Sequence, residues 1–186
     1  MQQQPDNQFD LIIVGAGLTG AALACAIAQL PRATSLSIAL IEADRGLAHF
    51  EGNNFDPRVV ALTQASQDLL QRIGAWQAIC RARACAYTDM QVWDGEGTAE
   101  IHFNAADVRA SHLGHIVENS VVLAALRQQL TQHNNIRLIQ PARVTRMELS
   151  PTPSLQLDNG QIISAALVIA ADGANSKVRE LAHFDT

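Results

Sequence analysis

Three glycines set between a short apolar run and an alanine-rich run are the feature that most constrains this fold. The run from Phe9 to Val14 is apolar and rich in β-branched residues, and "GAGLTG" follows it with glycines at positions 15, 17 and 20. A helical pattern begins only after these glycines. This order predicts a strand, a tight glycine turn and a helix.

The same stretch is apolar enough to suggest a membrane span, because after Asp10 no charged residue occurs before Arg32. A helix rising about 1.5 Å per residue would cross a hydrocarbon layer about 30 Å thick with this many residues. One continuous helix would, however, contain three interior glycines, each costing about 1 kcal/mol relative to alanine. The strand, turn and helix are therefore preferred to the membrane span.

Composition limits the classes of partner and compartment. The 186 residues, 48% of them hydrophobic, can bury a core of their own. A formal net charge of -5, with 13 basic against 18 acidic residues, disfavours nucleic acid as a partner. Three cysteines without a C-x-x-C spacing predict neither disulfides nor a zinc site. With no signal peptide evident, we expect a cytoplasmic protein whose residues 1–8 form a disordered tail.

Strand and helix patterns alternate along the rest of the chain, which predicts the α/β class. Leu36–Asp44 predicts a second buried strand, parallel to the first, so that the chain begins with a Rossmann-like β-α-β unit. The irregular loop 45–58 that follows is long enough to suggest a functional role. Later patterns predict a helix capped by Thr63, a helix over Trp76–Arg83, a hairpin containing Trp93, a helix over Ser120–Gln132, strands over Ile136–Ile139 and Ala142–Leu149, a hairpin turn at Asp158-Asn159-Gly160, a buried central strand over Ala166–Ala170 and a final helix.

The glycine turn carries a G-x-G-x-x-G motif formed by Gly15, Ala16, Gly17, Leu18, Thr19 and Gly20. Such glycines permit a tight turn and a close backbone approach, so that a pyrophosphate can bind at the helix N-terminus. Glu42 lies 22 residues after Gly20, at the end of the second strand, where a carboxylate can accept both hydroxyls of an adenosine ribose. Together these features predict a dinucleotide site, and they suit FAD and NAD equally.

Three further stretches carry a resemblance to a known family: "FDPRVVALTQASQDLLQRIGAW", then "MQVWDGEG" with "SHLGHIVENSVV", and finally "ADGANSKVR". The sequence resembles the flavoprotein aromatic monooxygenases of the p-hydroxybenzoate hydroxylase type, and within them the ubiquinone-biosynthesis hydroxylases that act on octaprenylphenol or octaprenyl-methoxyphenol. The resemblance implies a Rossmann-like FAD-binding domain with a partial substrate-binding β-sheet inserted. It implies FAD-binding regions over 9–84 and 119–186 and part of the substrate sheet over 85–118, with the remainder of the family's chain absent.

The resemblance also implies site residues beyond the glycine motif. Arg58 matches an arginine close to the flavin, and Val144 matches a position whose backbone contacts adenine. Asp172 and Gly173 match an Asp-Gly fingerprint beside the pyrophosphate or ribityl chain, and Arg179 matches the arginine of that fingerprint, associated with the turn and with the pyridine nucleotide. The alternatives are an ordinary strand-ending turn for the Asp-Gly pair, a solvated helix arginine for Arg179 and an ordinary loop arginine for Arg58.

The activity implied by the resemblance is hydroxylation of a polyprenylated phenol. NAD(P)H would reduce FAD, and the reduced flavin would react with O2 to give a C4a-hydroperoxide that transfers one oxygen atom. Because the flavin performs the chemistry, no catalytic side chain is assigned. The family's second flavin fingerprint lies beyond this chain, which resembles an N-terminal portion. Many relatives also place an arginine or glutamine beside the flavin where this sequence has Val117, Glu118 and Asn119, so that contact is unassigned.

Two other interpretations of the whole chain stay open at this stage. The opening motif alone would suit an NAD-dependent oxidoreductase, and a nucleotide-binding fold can serve as a non-catalytic assembly subunit. Membership of a ubiquinone-biosynthesis complex, and peripheral contact with the inner membrane through the substrate, would fit the resemblance. The pair His112 and His115 has no third ligand nearby, so we expect a structural role rather than a metal site. Trp76 and Trp93 are expected to pack in the core and on a sheet.

Overall fold

The computed structural model describes residues 7–45 and 54–185, so most of the predicted tail 1–8 and the centre of the loop 45–58 lie outside the described residues. The elements in chain order are β1 Gln8–Val14, α1 Leu18–Ala28, β2 Ile38–Ile41, β3 Val59–Thr63, α2 Gln64–Arg72, α3 Trp76–Ala82, β4 Cys85–Tyr87, β5 Asp89–Trp93, β6 Glu100–Asn104, a 3-10 turn Ala105–Val108, β7 Gly114–Glu118, α4 Asn119–Leu130, β8 Ile136–Ile139, β9 Val144–Glu148, β10 Ser154–Leu157, β11 Ile162–Ala170 and α5 Lys177–Leu181. They divide into two compact units, Met1–His49 with Leu126–Thr186, and Phe50–Ala125.

The first unit is built on a six-stranded sheet with the order β8-β2-β1-β11-β10-β9. The four strands β8, β2, β1 and β11 run parallel. β10 continues the sheet antiparallel to β11, and β9 pairs antiparallel with β10. Parallel strands buried on both faces are nearly continuously apolar, and Ile12, Ile13 and Leu40 are fully buried here. The predicted Rossmann-like β-α-β start is confirmed.

Helix α1 packs closely on this sheet because its inward face carries small residues. Its buried positions are Gly20, Ala21, Ala24, Cys25 and Ala28. Burial raises the pKa of the Cys25 thiol to about 11, as expected for a cysteine that acts as a small apolar side chain. The stretch Asp10–Leu30 is therefore a strand, a turn and a helix, as predicted. Across the described ranges, no helix combines the length and apolar character that crossing a bilayer requires.

The second unit contains two small antiparallel sheets. One has the order β3-β7-β4, and the other pairs β5 with β6 as the predicted hairpin. The Thr63 hydroxyl accepts a hydrogen bond from the Ser66 amide at 3.4 Å, which confirms the predicted cap of α2. The α2 helix ends before Gly74, whose φ of 81° suits a C-terminal glycine.

Two burial predictions are wrong. Trp76 lies in the core, but Trp93 is 69% exposed, because every residue of β5 is exposed and no described element covers the β5–β6 hairpin. The strand predicted over Ala166–Ala170 is longer and central, pairing with both β1 and β10, yet Leu167 is 52% exposed. Its backbone is inside the sheet, whereas the side chain of Leu167 is exposed to solvent.

Candidate functional site

The candidate site of the first unit lies where its parallel strands end. Val14 is in register with Ile41 and Ala170, and Ile41 is in register with Ile139. The segments that follow these residues therefore start from one edge of the sheet. In open α/β sheets, ligands bind in the crevice beyond the carboxyl ends of the strands. The glycine motif, Glu42 and the Asp172-Gly173 pair all follow strands that end at this edge.

Two of the three motif glycines are required by close backbone contact. Gly15 has a φ of +100°, and a Cβ there would lie 2.4 Å from the carbonyl oxygen of Ala171. A Cβ on Gly20 would lie 1.8 Å from the carbonyl oxygen of Gly15. Neither position can hold a larger residue without movement of the backbone. These glycines pack the turn against the end of β11.

The third glycine has a different role, because a Cβ on Gly17 would meet no atom within 4 Å. Gly17 is the N-cap of α1, and no side chain caps this helix end. The amides of the first turn of a helix have no partner within the helix, and together with the helix dipole they favour an anion. The open space at Gly17 thus lies at a helix N-terminus suited to a phosphate group.

The carboxylate of Glu42 is fixed against the glycine motif. Its Oε2 accepts a hydrogen bond from the Ala16 amide at 2.8 Å, and its Oε1 accepts one from the Asp44 amide at 3.0 Å. An ionised carboxylate has about four acceptor positions, so both oxygens retain capacity for further donors. The structure therefore brings the predicted ribose-binding carboxylate and the predicted phosphate-binding turn together.

Asp172 is bound within its own turn. Its carboxylate accepts hydrogen bonds from the Ser176 hydroxyl at 2.5 Å and the Val178 amide at 3.1 Å, and Gly173 has a φ of +84°. The guanidinium of Arg179 donates to the carbonyl oxygen of Ala174 at 2.8 Å. These bonds fix the start of α5, and contacts of these residues with a cofactor stay predictions.

Val144 begins β9, pairs with Leu157 and is buried in the core of the first unit. Two residues before it, the amide of Ala142 donates to the carbonyl oxygen of Glu42 at 2.8 Å, so this segment lies beside the end of β2. Its predicted backbone contact with adenine is not tested by this packing and stays a prediction.

Arg58 belongs to the second unit, where hydrogen bonds fix its backbone. Its amide donates to Asp56 Oδ1 at 2.9 Å, and its carbonyl oxygen accepts from the Asn119 amide at 2.9 Å. The hydrogen bonds from the amides of Arg58 and Ser120 hold the pKa of Asp56 below its usual range. The exposed Arg58 guanidinium has no hydrogen-bond partner within the described ranges, and its role toward a flavin stays a prediction.

Glu118 anchors the Asp56–Arg58 turn and was not predicted to do so. It is 3% exposed, its Oε2 accepts from the Asp56 amide at 2.7 Å, and its Oε1 lies 3.0 Å from Nη1 of Arg83. The sequence signal was a glutamate at the end of an apolar strand, where a buried charge needs a partner. At the neighbouring position, the side-chain oxygen of Asn119 is buried without a hydrogen-bond partner.

His112 and His115 form an aromatic cluster with Trp76. The His115 ring lies 4.9 Å from the Trp76 ring and 4.6 Å from the His112 ring, edge to face in both pairs. Burial lowers the pKa of the His115 imidazole, and the charge of His112 lowers it further. No group of three ligating side chains occurs in the part of the chain that the structure describes.

The first unit also contains an arginine that sequence reasoning missed. The Nε and Nη2 atoms of Arg127, near the end of α4, are buried and have no hydrogen-bond partner. Burial lowers the pKa of this guanidinium, and the Glu42 carboxylate opposes that shift. The available signal was a charged residue at the margin of the apolar face of α4, directly after Leu126, which is fully buried.

The geometry can be compared with known proteins. Residues 8–186 match a family model described as FAD binding domain. The chain belongs to the FAD binding domain family. This membership makes FAD, rather than NAD, the cofactor to which the glycine motif and Glu42 are to be related. The open helix N-terminus at Gly17 and the available acceptor positions of Glu42 fit the adenosine diphosphate half of FAD.

Curated relatives of the chain include ubiquinone-biosynthesis enzymes. It is 35% identical to the "3-demethoxyubiquinol 3-hydroxylase" of Escherichia coli (strain K12) over 98% of its own length and 45% of that protein's. It is 32% identical to the "Ubiquinone biosynthesis monooxygenase COQ6, mitochondrial" of Caenorhabditis elegans, covering 96% of this chain and 41% of the relative. The human protein of that name is 33% identical, with 94% and 39% covered. The chain thus spans less than half the length of these relatives.

Solved structures with the same fold include two monooxygenases, one described as FAD-dependent and one as flavin-dependent. PqsL of Pseudomonas aeruginosa, described as a probable FAD-dependent monooxygenase, matches with a TM-score of 0.73 and 18% identity over 97% of this chain and 47% of that one. The flavin-dependent monooxygenase PieE, solved with FAD and substrate, matches with a TM-score of 0.74 and 16% identity over 96% of this chain and 32% of that one. These likenesses confirm the predicted fold class.

Proposed function

We propose that this chain is the N-terminal FAD-binding portion of a monooxygenase that hydroxylates a polyprenylated phenol in ubiquinone biosynthesis. The observation that carries the proposal is the hydrogen bond from the Ala16 amide to Glu42 beside the open N-terminus of α1, which together would bind the adenosine diphosphate group. The names of the relatives, one a demethoxyubiquinol hydroxylase, support the substrate class. NAD(P)H as electron donor and O2 as oxidant belong to the same proposal.

The residues of this chain would bind and orient the cofactor rather than react. Glu42 would hold the adenosine ribose, the first-turn amides of α1 would hold the pyrophosphate, and Asp172 with Gly173 would shape the adjoining turn. Arg58 would lie near the flavin, and the backbone of Val144 near adenine. When bound, FAD supplies the redox chemistry: each phenol hydroxylated consumes one NAD(P)H, one proton and one O2, and the second oxygen atom leaves as water.

The proposal extends to location and assembly. A cytoplasmic protein that meets the inner membrane only through its apolar substrate is consistent with thirteen basic residues scattered along the chain and with the absence of a C-x-x-C motif. Association with other ubiquinone-biosynthesis proteins would deliver such a substrate to the protein.

Titration of the purified, flavin-free chain with FAD tests the cofactor step, with the quenching of flavin fluorescence as the signal. We expect saturable binding of FAD and no binding of NAD at the same concentrations. Preferential binding of NAD would overturn the proposal in favour of an NAD-dependent oxidoreductase.

The reaction is tested on the full-length protein of which this chain is proposed to be the N-terminal portion, loaded with FAD and supplied with NADPH, isotopically labelled O2 and a short-chain prenylphenol. The expected product is a phenol that carries one labelled oxygen atom, detected by mass spectrometry. FAD binding by that full-length protein without NADPH oxidation would instead support a non-catalytic nucleotide-binding subunit.

A further inference from the structure

Two nitrogen atoms of the partly buried Arg127 guanidinium, in the first unit, are unsatisfied donors. Its Nε and Nη2 atoms are shielded from solvent and have no hydrogen-bond partner. A buried donor without an acceptor is costly, most of all on a charged group, so buried polar atoms in native proteins almost always have a partner. The two nitrogen atoms therefore mark the place of an acceptor supplied from outside the described protein atoms.

The negative charge of the Glu42 carboxylate acts on the Arg127 guanidinium and opposes the effect of burial. Neither unpartnered nitrogen bonds to that carboxylate directly. The Glu42 carboxylate instead accepts hydrogen bonds from the amides of Ala16 and Asp44, and each of its oxygens can accept a further hydrogen bond. A group that accepts from an arginine and donates to a carboxylate would satisfy both side chains, and a hydroxyl group does both.

A phosphate is a poorer occupant of this position than a hydroxyl. It would accept from Arg127, but it has no proton to donate to Glu42, and its charge would be repelled by the carboxylate. The helix N-terminus at Gly17 offers phosphate a separate position with no acidic residue in the first turn of α1.

Packing keeps Arg127 in place. The preceding residue, Leu126, is fully buried, and its carbonyl oxygen accepts a weak hydrogen bond from Cys25 Sγ at 3.8 Å. Leu130, one turn further along α4, is also buried. The end of α4 is thereby held against α1, the helix that begins at the glycine motif, so the position of Arg127 is set without a ligand.

We propose that Arg127 is a cofactor-binding residue whose guanidinium donates to a ribose hydroxyl of the adenosine group, the same sugar that Glu42 binds. The inference rests on the proposed cofactor function and adds to it a second ribose contact from a helix outside the glycine motif. Arg127 and Glu42 would then select an adenosine ribose with free hydroxyls.

The test measures binding of ADP, 2′-deoxy-ADP and 3′-deoxy-ADP to the flavin-free chain by calorimetry, with FAD titrated in parallel. We expect the wild-type chain to bind ADP about tenfold more tightly than at least one deoxy analogue, the size of one hydrogen bond to a charged group. Arg127→Met should weaken ADP binding about tenfold and reduce that discrimination to the part that Glu42 supplies. Arg32→Met, which removes an exposed arginine from the same unit, should change neither value.

The outcomes separate this inference from the proposed function. A wild-type chain that binds FAD but does not distinguish ADP from either deoxy analogue overturns the inference alone, and that measurement requires no variant. Arg127→Met binding ADP as tightly as wild type, or weakly with discrimination intact, also overturns it. A wild-type chain that binds neither FAD nor ADP overturns the proposed cofactor function, and the inference with it.

Discussion

The carboxylate of Glu42 accepts a hydrogen bond of 2.8 Å from the amide of Ala16, and this bond joins the end of β2 to the second residue of the glycine motif. This bond crosses 26 positions of sequence and fixes the carboxylate before any ligand binds. Preorganisation of this kind reduces the entropy that binding must overcome.

Glu42→Gln is expected to weaken ADP and FAD binding about tenfold, because the neutral amide has one acceptor oxygen in place of two charged ones. Calorimetric titration of the flavin-free protein measures the change. Glu148→Gln, an exposed position of β9 in the same unit, is the control and should bind as wild type. Equal affinities for the Glu42 variant and this control would remove Glu42 from the binding site.

The motif glycines should separate stability from binding. Gly20→Ala should lower the free energy of unfolding by about 2–3 kcal/mol, because its Cβ would lie 1.8 Å from the Gly15 carbonyl oxygen. Without that clash, alanine inside a helix would instead gain about 1 kcal/mol. In Gly17→Ala the new Cβ would meet no atom within 4 Å, so the variant should fold normally. The added methyl group would occupy the open space proposed for a phosphate, so the variant should bind FAD more weakly. Urea denaturation and FAD titration of both variants measure the two effects. A destabilised Gly17→Ala together with a Gly20→Ala as stable as wild type would contradict the prediction.

Asp172→Ala should destabilise the first unit by about 1 kcal/mol, because the start of α5 loses two hydrogen bonds to the carboxylate. Asp172→Asn retains one acceptor oxygen and should lose less. Urea denaturation in the absence of cofactor measures both. If Asp172→Ala is as stable as wild type, the turn is held by other groups; a further loss of FAD affinity in Asp172→Asn would add the cofactor contact that the family resemblance implies.

Glu118→Gln should lower the stability of the second unit by about 3 kcal/mol, because it replaces the buried carboxylate of the ion pair with Arg83 by a neutral amide. The double variant Glu118→Gln with Arg83→Met should recover part of the loss. Thermal unfolding measures both, with Glu96→Gln, an exposed glutamate of the same unit, as control. A double variant no more stable than the single one would show that the pair is not the cause.

Protonation of His115 should destabilise the second unit at acid pH. Burial lowers its pKa below the ordinary 6.5, so below that pH the unfolded chain takes up the proton more readily than the folded one. The free energy of unfolding should therefore fall as the pH drops below 6.5. Above that pH, the stability that depends on neutral His115 should be fully present. His115→Phe, which keeps a ring beside Trp76, should flatten this part of the profile. His183→Asn, an exposed position with a positive φ, should leave it unchanged; a profile insensitive to His115→Phe would contradict the assignment.

The local pattern of the sequence determined most of the backbone. The β1–turn–α1 start, the Thr63 cap and the hairpin turn at Asn159-Gly160 are confirmed because each depends on residues within a few positions of one another. The pairing of Glu42 with the glycine motif was also foreseeable, because parallel strands place their carboxyl ends at one edge. The burial of individual side chains was not foreseeable. Trp93 and Leu167 are apolar but exposed, because exposure depends on which element covers each face of a sheet, and local sequence does not contain that information.

Tertiary structure alone decided how the charged side chains are used. The family resemblance implies that Asp172 contacts the cofactor, which stays a prediction. The fold adds a second role, because the Asp172 carboxylate accepts hydrogen bonds at the start of α5. Glu118 and Arg83 are 35 positions apart, and nothing local pairs them. Arg127 is a single charged residue in the helical pattern of α4, and only the packing of the end of α4 against α1 shields its Nε and Nη2 atoms from water without giving them a partner. The sequence determined the backbone of the proposed adenosine diphosphate site, because glycine conformation and strand direction are local. Only the fold decided which charged side chains are buried and what they pair with, because desolvation depends on residues that meet only in three dimensions.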